Sequence, residues 1–526
     1  MANIVAGLGF FLLFVALILA VIVGIMFLFP QSSIGGMTAV NERDTQIVYR
    51  DEALAWGFDC GNFIIESTNC HVDVRMSTAN SDKEGTIVVN ESATGIAFNS
   101  LKRTLVEWTR TAVNGVPYFR IKVLEPYGVV VSDRPTTVYI NLKSTTENHN
   151  FILRNQYSNV TFSYDDEKET TANALKIQSL VVDSAGKVTV PNYESLTVDT
   201  IDFRSNNTTL LCNAVVNNDV NVSGSHNNLT FNGAIGGDVL VKGNNNVCKG
   251  NTANDVLYDN AQGSITFNDI HKFTMQTVSA QASLRNVTAG IDMMSQSGGL
   301  NVNSVSGGIK MTTESGNLMV NNIIDGGLTF TVTSKAGDAD VNVNQQLVGA
   351  VKIRNNGIGR IKLQGVDGDV DIVSSTANGG NIDVEFLGKN SHYVTIEGYD
   401  GDINVKNIYG LTNITVRDPG STGAAGRANI TARFKTVVAG DNKIITGAYV
   451  DSPSGIGNID VYLLSTCGDF TLQIYKASSA YDYANGRNDR LAIGGDKNNI
   501  KGSATGSETG SLTVATPAHF TIRSDN

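Results

Sequence analysis

Clusters of basic residues are missing from this sequence of 526 residues. Its 39 lysine and arginine residues are outnumbered by 50 aspartate and glutamate residues, and the formal charge is −11. Proteins that bind nucleic acid need lysine and arginine grouped against the phosphates. The charge distribution therefore excludes nucleic acid as an expected partner.

Proline, cysteine and histidine are also scarce, at 8, 5 and 6 residues. No two cysteines have the spacing of a zinc site, and the scattered histidines suggest no Ser-His-Asp arrangement. Glycine is abundant, at 53 residues, while charged residues make up only 17% of the chain. This composition favours short strands joined by tight turns over helices, and it indicates neither a cofactor nor a catalytic centre.

One long hydrophobic run is present, near the N-terminus. Residues 4–29 carry no charged side chain, and these 26 residues exceed the roughly 20 that are needed to cross a bilayer core. A cleaved signal peptide normally has a basic start and a small-x-small cleavage site, and neither occurs here. We expect residues 4–29 to hold the protein in a membrane as a single-pass anchor, with the C-terminal ectodomain outside the cell. Cleavage of residues 1–30 would instead make the protein secreted.

The middle of the chain contains an internal repeat, in which a short alternating strand follows Gly or Asn-Asp. A second strand comes about halfway through most units, as at Leu300 and Ile361. The first apolar residues of successive units are Val220, Val239, Val256, Phe273, Ile291, Ile309, Leu328, Val351, Val370, Val394 and Ile414.

A single unit of this repeat cannot be stable, because it has one apolar face to bury and two unpaired edges. Stacking the units pairs every backbone group with the neighbouring coil and places the apolar side chains in continuous inward columns. The repeat therefore predicts an all-β fold, a parallel β-solenoid with eleven coils between Val220 and Ile414. Longer steps after Leu328 and Val370 predict loops over 334–346 and 374–380, which are natural places for binding.

The flanking segments are rich in alternating strands but less regular. A bare solenoid end would polymerise, so we expect irregular β caps. The predicted organisation is a transmembrane anchor over 1–30, a tether over 31–46, an irregular β cap region over 47–200, regular solenoid repeats of about 18–20 residues over 201–434, and a C-terminal β closing region over 435–526.

Only a few side chains suggest binding chemistry. Aspartates in the turns would form a column able to coordinate calcium, although one aspartate per coil falls short of the calcium-binding solenoid pattern and turn capping is the stronger interpretation. The weak calcium candidates are Asp219, Asp238, Asp369 and Asp402. Cys60 and Cys70 flank a strand-like stretch and form a candidate disulfide, with two buried thiols as the alternative.

Two further groups invite a carbohydrate interpretation. Tyr475, Tyr481 and Tyr483 could stack on sugar rings, although packing of this insertion on a sheet is the stronger interpretation. Carboxylates on adjacent coils are what a polysaccharide-cleaving β-helix needs. The candidate set is Asp367, Asp369 and Asp371, with Lys352 and Arg354 one coil away. These residues alternate about a glycine-rich turn, as solvated residues do, so we do not expect an enzyme.

The units at 290–305, 307–321 and 368–384 resemble the repeats of the putative-adhesin family of bacterial and archaeal cell-surface proteins. The resemblance implies an anchored β-helical surface protein with an adhesive or envelope role, and it brings no catalytic residues. We expect action by contact, on a surface glycan or a protein. The alternatives are a self-assembling scaffold or filament subunit and a carbohydrate-binding or polysaccharide-degrading β-helix.

Overall fold

The chain is an all-β parallel β-solenoid, as the repeat predicts, and almost none of the residues that the structure describes are helical. Contacts divide it into two compact units, residues 1–239 with 248–251, and residues 240–247 with 252–526. The computed structural model describes residues 16, 33–34, 37–50, 58–76, 85–98, 104–124, 129–130, 136–143, 148–164, 175–375, 379–388, 390, 392–399, 401–416, 430–435, 442–446, 459–463, 471–476, 490–494, 511–514 and 519–523.

The predicted anchor over residues 4–29 lies outside the described residues, apart from Ala16. Within the ranges that the structure describes, no helix has the length and apolar character needed to cross a membrane. The anchor therefore stays a prediction.

The first unit contains a 3₁₀ turn at Phe58–Cys60 and eighteen described strands. The strands are β1 Ser33–Ile34, β2 Met37–Arg50, β3 Asn62–Thr68, β4 His71–Met76, β5 Thr86–Phe98, β6 Leu105–Val113, β7 Val116–Leu124, β8 Val129–Val130, β9 Thr136–Leu142, β10 His149–Gln156, β11 Asn159–Tyr164, β12 Leu175–Ser184, β13 Lys187–Val190, β14 Leu196–Phe203, β15 Thr209–Cys212, β16 Val215–Val216, β17 Val220–Ser225 and β18 Asn228–Phe231. Strands β19 Val239–Asn244 and β20 Asn246–Asn260 fall where the two units divide.

Parallel coils begin in the first unit at β3 and β4. Strand β10 pairs in parallel with β3, and β11 pairs in parallel with β4. Strands β3, β10, β12 and β14 thus form one column of parallel strands. Strands β4, β11, β13 and β15 form a second column. Inward side chains lie in register, so that the rings of Phe63 and Phe151 stack with their centroids 5.4 Å apart. This alignment of identical positions is what buries the apolar face of each short strand.

Strands from later in the chain cover the start of the first coil. Strand β7 pairs in parallel with β3 and β9 pairs in parallel with β4, while β6 and β5 continue the two columns in the antiparallel sense. The β6–β7 hairpin turns at Asn114 and Gly115, whose φ angles of 51° and 82° suit a tight two-residue turn. Most side chains of β6 are exposed, including Glu107 and Arg110, and charged side chains on an edge strand discourage further strand pairing.

An ion-pair network joins this cap to the first coils. Arg120 of β7 donates to Glu66 of β3 at 2.6 Å, and Arg154 of β10 donates to the other oxygen of Glu66 at 3.4 Å. Arg154 also donates to Asp183 of β12 at 3.0 Å. The Glu66 side chain is 15% exposed, so its two arginine partners lie on an incompletely solvated surface.

Replacement of Glu66 by alanine should lower the free energy of unfolding of the first unit by about 1–2 kcal/mol, because two arginines lose a shared acceptor, although both are partly solvated. Urea unfolding followed by tryptophan fluorescence measures this, since Trp108 lies in β6 of the first unit and the sequence has no tryptophan after residue 108. Glu107→Ala on exposed β6 is the matched control. Equal destabilisation by both variants would contradict a role of the network.

The second unit contains strands β21 to β42. They are β21 Gly263–Thr277, β22 Gln281–Val287, β23 Ile291–Ser295, β24 Leu300–Val305, β25 Ile309–Thr313, β26 Leu318–Ile323, β27 Leu328–Val332, β28 Val341–Val348, β29 Val351–Asn355, β30 Ile361–Asp367, β31 Val370–Ser374, β32 Ile382–Phe386, β33 Val394–Gly398, β34 Ile403–Ile408, β35 Thr412–Val416, β36 Ile430–Phe434, β37 Asn442–Thr446, β38 Ile459–Leu463, β39 Thr471–Lys476, β40 Arg490–Gly494, β41 Ser511–Val514 and β42 His519–Arg523.

These strands form two parallel columns, each pairing with the strand one coil away. One column runs β21–β23–β25–β27–β29–β31–β33–β35–β37–β39–β41, and the other runs β21–β22 and then through the even-numbered strands to β42. Ile291, Ile309 and Leu328 are successive partners and are nearly fully buried, as the repeat predicts. Alternation of buried and exposed positions along each strand places the polar side chains on the outside.

Two details of the predicted ladder are wrong. The partner of Val394 is Thr412, not Ile414, which instead pairs with Ile396 one inward position later. The hydroxyl of buried Thr412 donates to the carbonyl of Gly410 at 2.9 Å, so a polar residue is satisfied in the core column. The loop predicted over 334–346 is also shorter than expected, because β28 begins at Val341.

Candidate functional site

The outward side chains of the second unit form an amide ladder along the coils. Asn321 of β26 donates to the side-chain oxygen of Asn303 on β24 at 2.9 Å, and Asn344 of β28 donates to that of Asn321 at 3.0 Å. Each of these two amides therefore donates a hydrogen bond to the asparagine one coil before it. The ladder leads to Asn344, which lies at the edge of a surface cleft.

Irregular pairing of β28, β30, β32 and β34 shapes this cleft. Three residues separate the inward Val343 and Leu347 of β28, whereas two separate the aligned Leu363 and Val366 of β30. In β32 a single residue lies between the positions that pair with Leu363 and Val366. Extra residues in a strand bend it and re-aim its side chains. The depression lies where neighbouring coils have unequal numbers of residues between their aligned inward positions.

Two residues of this region adopt the left-handed conformation. Gly365 of β30 has a φ of 64°, and Asn407 of β34 has a φ of 58°. Glycine is required at the first, because a Cβ would lie 2.0 Å from the carbonyl oxygen of Gln345 on the neighbouring coil. Asparagine is among the residues that tolerate the second. The side chain of Asn407 donates to Glu385 at 3.5 Å and to the Phe386 carbonyl at 3.4 Å.

The cleft has a volume of about 560 Å³, within the usual range for ligand sites, and a second depression of about 180 Å³ adjoins it. Gln364 and Glu385 line both depressions, so the two form one groove across four coils. The larger depression is lined by Asn344, Gln345, Gln364, Gly365, Glu385, Phe386, Leu387, Gly388, Asn407 and Tyr409. The smaller is lined by Lys362, Leu363, Gln364, Asp383, Val384, Glu385, Asn404 and Lys406.

Several polar groups of the groove keep their hydrogen-bonding capacity. The side-chain amides of Gln345 and Gln364 and the hydroxyl of Tyr409 make no hydrogen bond to any residue within the described ranges. Apolar contact area lies beside them, since Leu387 is 52% exposed. Amide and hydroxyl groups next to apolar surface are the means by which pockets orient a small polar ligand.

The charges of the groove balance. Lys362 aligns with Asp383 on the next coil, and Glu385 aligns with Lys406. Asp383 also accepts a hydrogen bond from Asn404 at 3.1 Å. Because two lysines face two carboxylates at neighbouring positions, the groove offers no net attraction to a strongly charged ligand.

Asn390 and His392 both form hydrogen bonds to Asp367, at the end of β30. The Nε2 atom of His392 lies 2.9 Å from the Oδ1 atom of Asp367, which also accepts from Asn390 at 3.0 Å. Hydrogen bonding from Asn390, and secondarily from His392, lowers the pKa of Asp367. The imidazole of His392 stacks on Phe386, a residue of the groove, with centroids 6.2 Å apart. These contacts thereby support one wall of the groove.

The four aspartates considered for calcium lie in turns between coils. The side chain of Asp219 accepts from the backbone N–H of Asp238 at 2.9 Å, and Asp369 accepts from that of Tyr393 at 2.9 Å. The backbone N–H of Asp402 donates to the side chain of Asn381 at 3.1 Å. The carboxylates of Asp219 and Asp369 thus accept a backbone N–H from the next coil, whereas Asp238 and Asp402 take part in these contacts through their own backbone N–H groups. Among the residues that the structure describes, no three His, Cys, Asp or Glu side chains are grouped to hold a metal ion.

The candidate disulfide between Cys60 and Cys70 is wrong. Both residues are present as thiols, and they lie before and after β3. An extended strand of seven residues spans roughly 23 Å, whereas a disulfide requires Cα atoms within about 7 Å. The Cys60 thiol instead donates to the carbonyl of Asn62 at 3.1 Å, and burial raises its pKa.

The remaining candidates are the three tyrosines and the carboxylates on adjacent coils. Tyr475 lies in β39, and Tyr481 and Tyr483 lie outside the described residues. Arg354 donates to the carboxylate of Asp371, and Asp367 is bonded to His392. The carboxylates of the proposed cleaving set are thus engaged in separate contacts. Sequence reasoning did not single out the groove residues Gln364, Asn407 and Tyr409, although the longer repeat steps lie in the same coils.

Comparisons with known proteins give little guidance. No family model matches the chain, and no curated protein matches it. A crystal structure of a putative cell adhesion protein from Clostridium sporogenes matches 50% of this chain and 99% of its own, with 8% identity and a TM-score of 0.16. A score this low carries no argument about fold or function, so the function has to be argued from the groove.

Proposed function

We propose that this chain is a membrane-anchored cell-surface β-solenoid that works by contact, in an adhesive or envelope role. The groove on β28–β34 is the observation that carries the proposal, because it gathers unbonded amides and a tyrosine hydroxyl on an open outer surface. Hydrogen-bonding groups held on rigid strands suit recognition of a surface ligand. Neither a cofactor nor a catalytic step is needed for this role.

The anchoring part of the proposal rests on the N-terminal sequence. Residues 4–29 form an uncharged apolar run of sufficient length to span a bilayer. Uncleaved, this run would hold the solenoid at the membrane with its coils outside the cell. A contact surface displayed there would meet neighbouring cells or the envelope.

Cell fractionation tests this location directly. We expect the full chain to stay in the membrane pellet after carbonate washing, because the apolar run partitions into the bilayer, and deletion of residues 4–29 to release it. Protease added to intact cells should degrade the coils. A control protein of the cytoplasm must survive the same treatment. A chain that washes off the membrane, or that resists protease on intact cells, would contradict the proposal.

The rival role as a filament subunit requires the coils to stack end to end. Cap strands cover the N-terminal end of the first unit, and β6, the outer strand of one of its two columns, is mostly exposed and carries Glu107 and Arg110. Charged edge strands of this kind oppose strand addition. We therefore favour contact over polymerisation, and filaments of the purified protein in negative-stain images would reverse that choice.

A further inference from the structure

We infer that the groove on β28–β34 binds a neutral oligosaccharide, with Gln364 at its centre. The inference rests on the proposed function in that it names the ligand of the same surface. Gln364 lines both depressions and therefore meets a ligand that occupies either of them. A chain of linked sugars can fill both together.

Side chains, rather than backbone, must recognise this ligand. The backbone of β30 pairs with β28 on one side and β32 on the other, so no free strand edge is available for an extended peptide. What remains on the surface is a set of amides, with the donors and acceptors that match sugar hydroxyls. Gln345, Gln364 and Tyr409 supply such groups without a partner in the described part of the chain.

The mixture of polar and apolar groups also suits a sugar ring. A saccharide has a hydroxyl-rich edge and a C–H face, and an aromatic side chain packs against such a face while its polar end stays hydrogen-bonded. Tyr409 and the half-exposed Leu387 provide this apolar area at one end of the groove. The amides of Gln345 and Gln364 provide the polar contacts beside it.

The charge balance decides between neutral and acidic saccharides. In the larger depression Glu385 is the charged lining residue, and it would repel a uronate. In the smaller depression Lys362 aligns with Asp383 and Lys406 aligns with Glu385. Each lysine therefore has an acidic neighbour that would compete with the carboxylate of an acidic saccharide. A neutral ligand avoids this repulsion and needs no counterion.

The test uses the full chain in a zwitterionic detergent, because a detergent with a sugar headgroup would compete for the groove. An array of neutral and uronate-containing oligosaccharides is probed first, and the best neutral ligand is then titrated by calorimetry. We expect Gln364→Ala and Tyr409→Ala each to weaken binding about tenfold, since each removes a hydrogen-bonding group of the groove. Gln276→Ala, at an exposed position of β21, is the matched control and should leave binding unchanged.

Each result bears on the inference. Binding of a neutral oligosaccharide that falls in both groove variants, with unchanged thermal unfolding, supports it. Binding of acidic members alone, no binding at all, or neutral binding that Gln364→Ala leaves intact would overturn it. If the chain binds no neutral oligosaccharide but is exposed at the cell surface, the inference about the groove is overturned and the proposed function is retained. Binding by a chain that is not at the membrane refutes the location but not the groove.

Discussion

Replacing Gly365 with alanine is expected to lower the free energy of unfolding of the second unit by about 2–4 kcal/mol. Its φ of 64° strains any residue with a Cβ, and the new atom would lie 2.0 Å from the carbonyl oxygen of Gln345. That oxygen belongs to the neighbouring coil, whose strand is fixed by pairing on both sides. Relief therefore requires β28 and β30 to move apart, which disrupts the groove as well as the ladder.

Urea unfolding followed by far-UV circular dichroism measures the loss. Tryptophan fluorescence of the same samples serves as an internal reference, because the sequence has no tryptophan after residue 108 and the transition of the first unit, which contains Trp108, should not change. The matched variant is Gly388→Ala. Gly388 has a φ of 93° but no atom within 4 Å of a built Cβ, so only the backbone strain applies and the expected cost is about 1 kcal/mol. Equal losses in the two variants would show that the close approach to Gln345 is unimportant.

The stacked coils could be predicted from sequence because each coil repeats the same physical constraint. An inward position such as Ile309 must lie between Ile291 and Leu328, and only apolar residues at a nearly constant spacing fill that column. Exceptions arise where a polar residue finds its own partner. Thr412 occupies a core position because Gly410 accepts its hydroxyl, and no spacing rule in the sequence shows that hydrogen bond.

The cap could not be derived in the same way. Strand β7 pairs with β3, which precedes it by some fifty residues, and the hairpin strand β6 then runs antiparallel to it. A pairing between such distant segments leaves no periodic signal, because each occurs once. The same reason explains the disulfide prediction, which used the separation of Cys60 and Cys70 along the chain. Because the residues between the two cysteines form an extended strand, their Cα atoms lie too far apart for a disulfide bond.

The groove was predicted only in outline. Longer steps after Leu328 and Val370 pointed to the correct coils, because extra residues must leave the regular register somewhere. Which residues bulge, and to which side, depends on how the two neighbouring coils pair. Gln364 lies in a cleft where β28 has three residues between its aligned inward positions and β30 has two. That comparison between adjacent coils requires the register, which the sequence spacing alone does not contain.

Acid is expected to weaken the first unit through His149. This side chain is fully buried beside the stacked rings of Phe63 and Phe151, with its centroid 5.9 Å from each. Neither ring nitrogen has a hydrogen-bond partner in the described part of the chain. Burial, the larger effect, lowers the pKa of His149 from 6.5 to about 4, and the Gly61 carbonyl, which accepts from the backbone N–H of Asn150 at 2.9 Å, acts in the opposite direction.

The sign of the pH dependence follows from that depressed pKa. Between pH 6.5 and about 4 the unfolded chain binds a proton at His149 and the folded chain does not, so acid favours unfolding. The stability that the neutral, buried His149 side chain contributes is fully present above pH 6.5. It decreases between pH 6.5 and about 4 and does not change further below pH 4. The full loss is about 3 kcal/mol. His149→Phe fills the aromatic cluster without a titrating group and should remove this part of the pH dependence.

The measurement is urea unfolding of the first unit by tryptophan fluorescence at several pH values from 7 to 4, for the wild type and for His149→Phe. Carboxylates titrate in both proteins, so the difference between their stabilities isolates His149. His226→Asn is the control, because it removes an exposed imidazole from the same unit and asparagine tolerates the φ of 60° at that position. The control should keep the wild-type dependence. If the His149→Phe protein lost stability with acid as steeply as the wild type, the acid response of the first unit would have to come from its carboxylates rather than from a neutral imidazole held in its core.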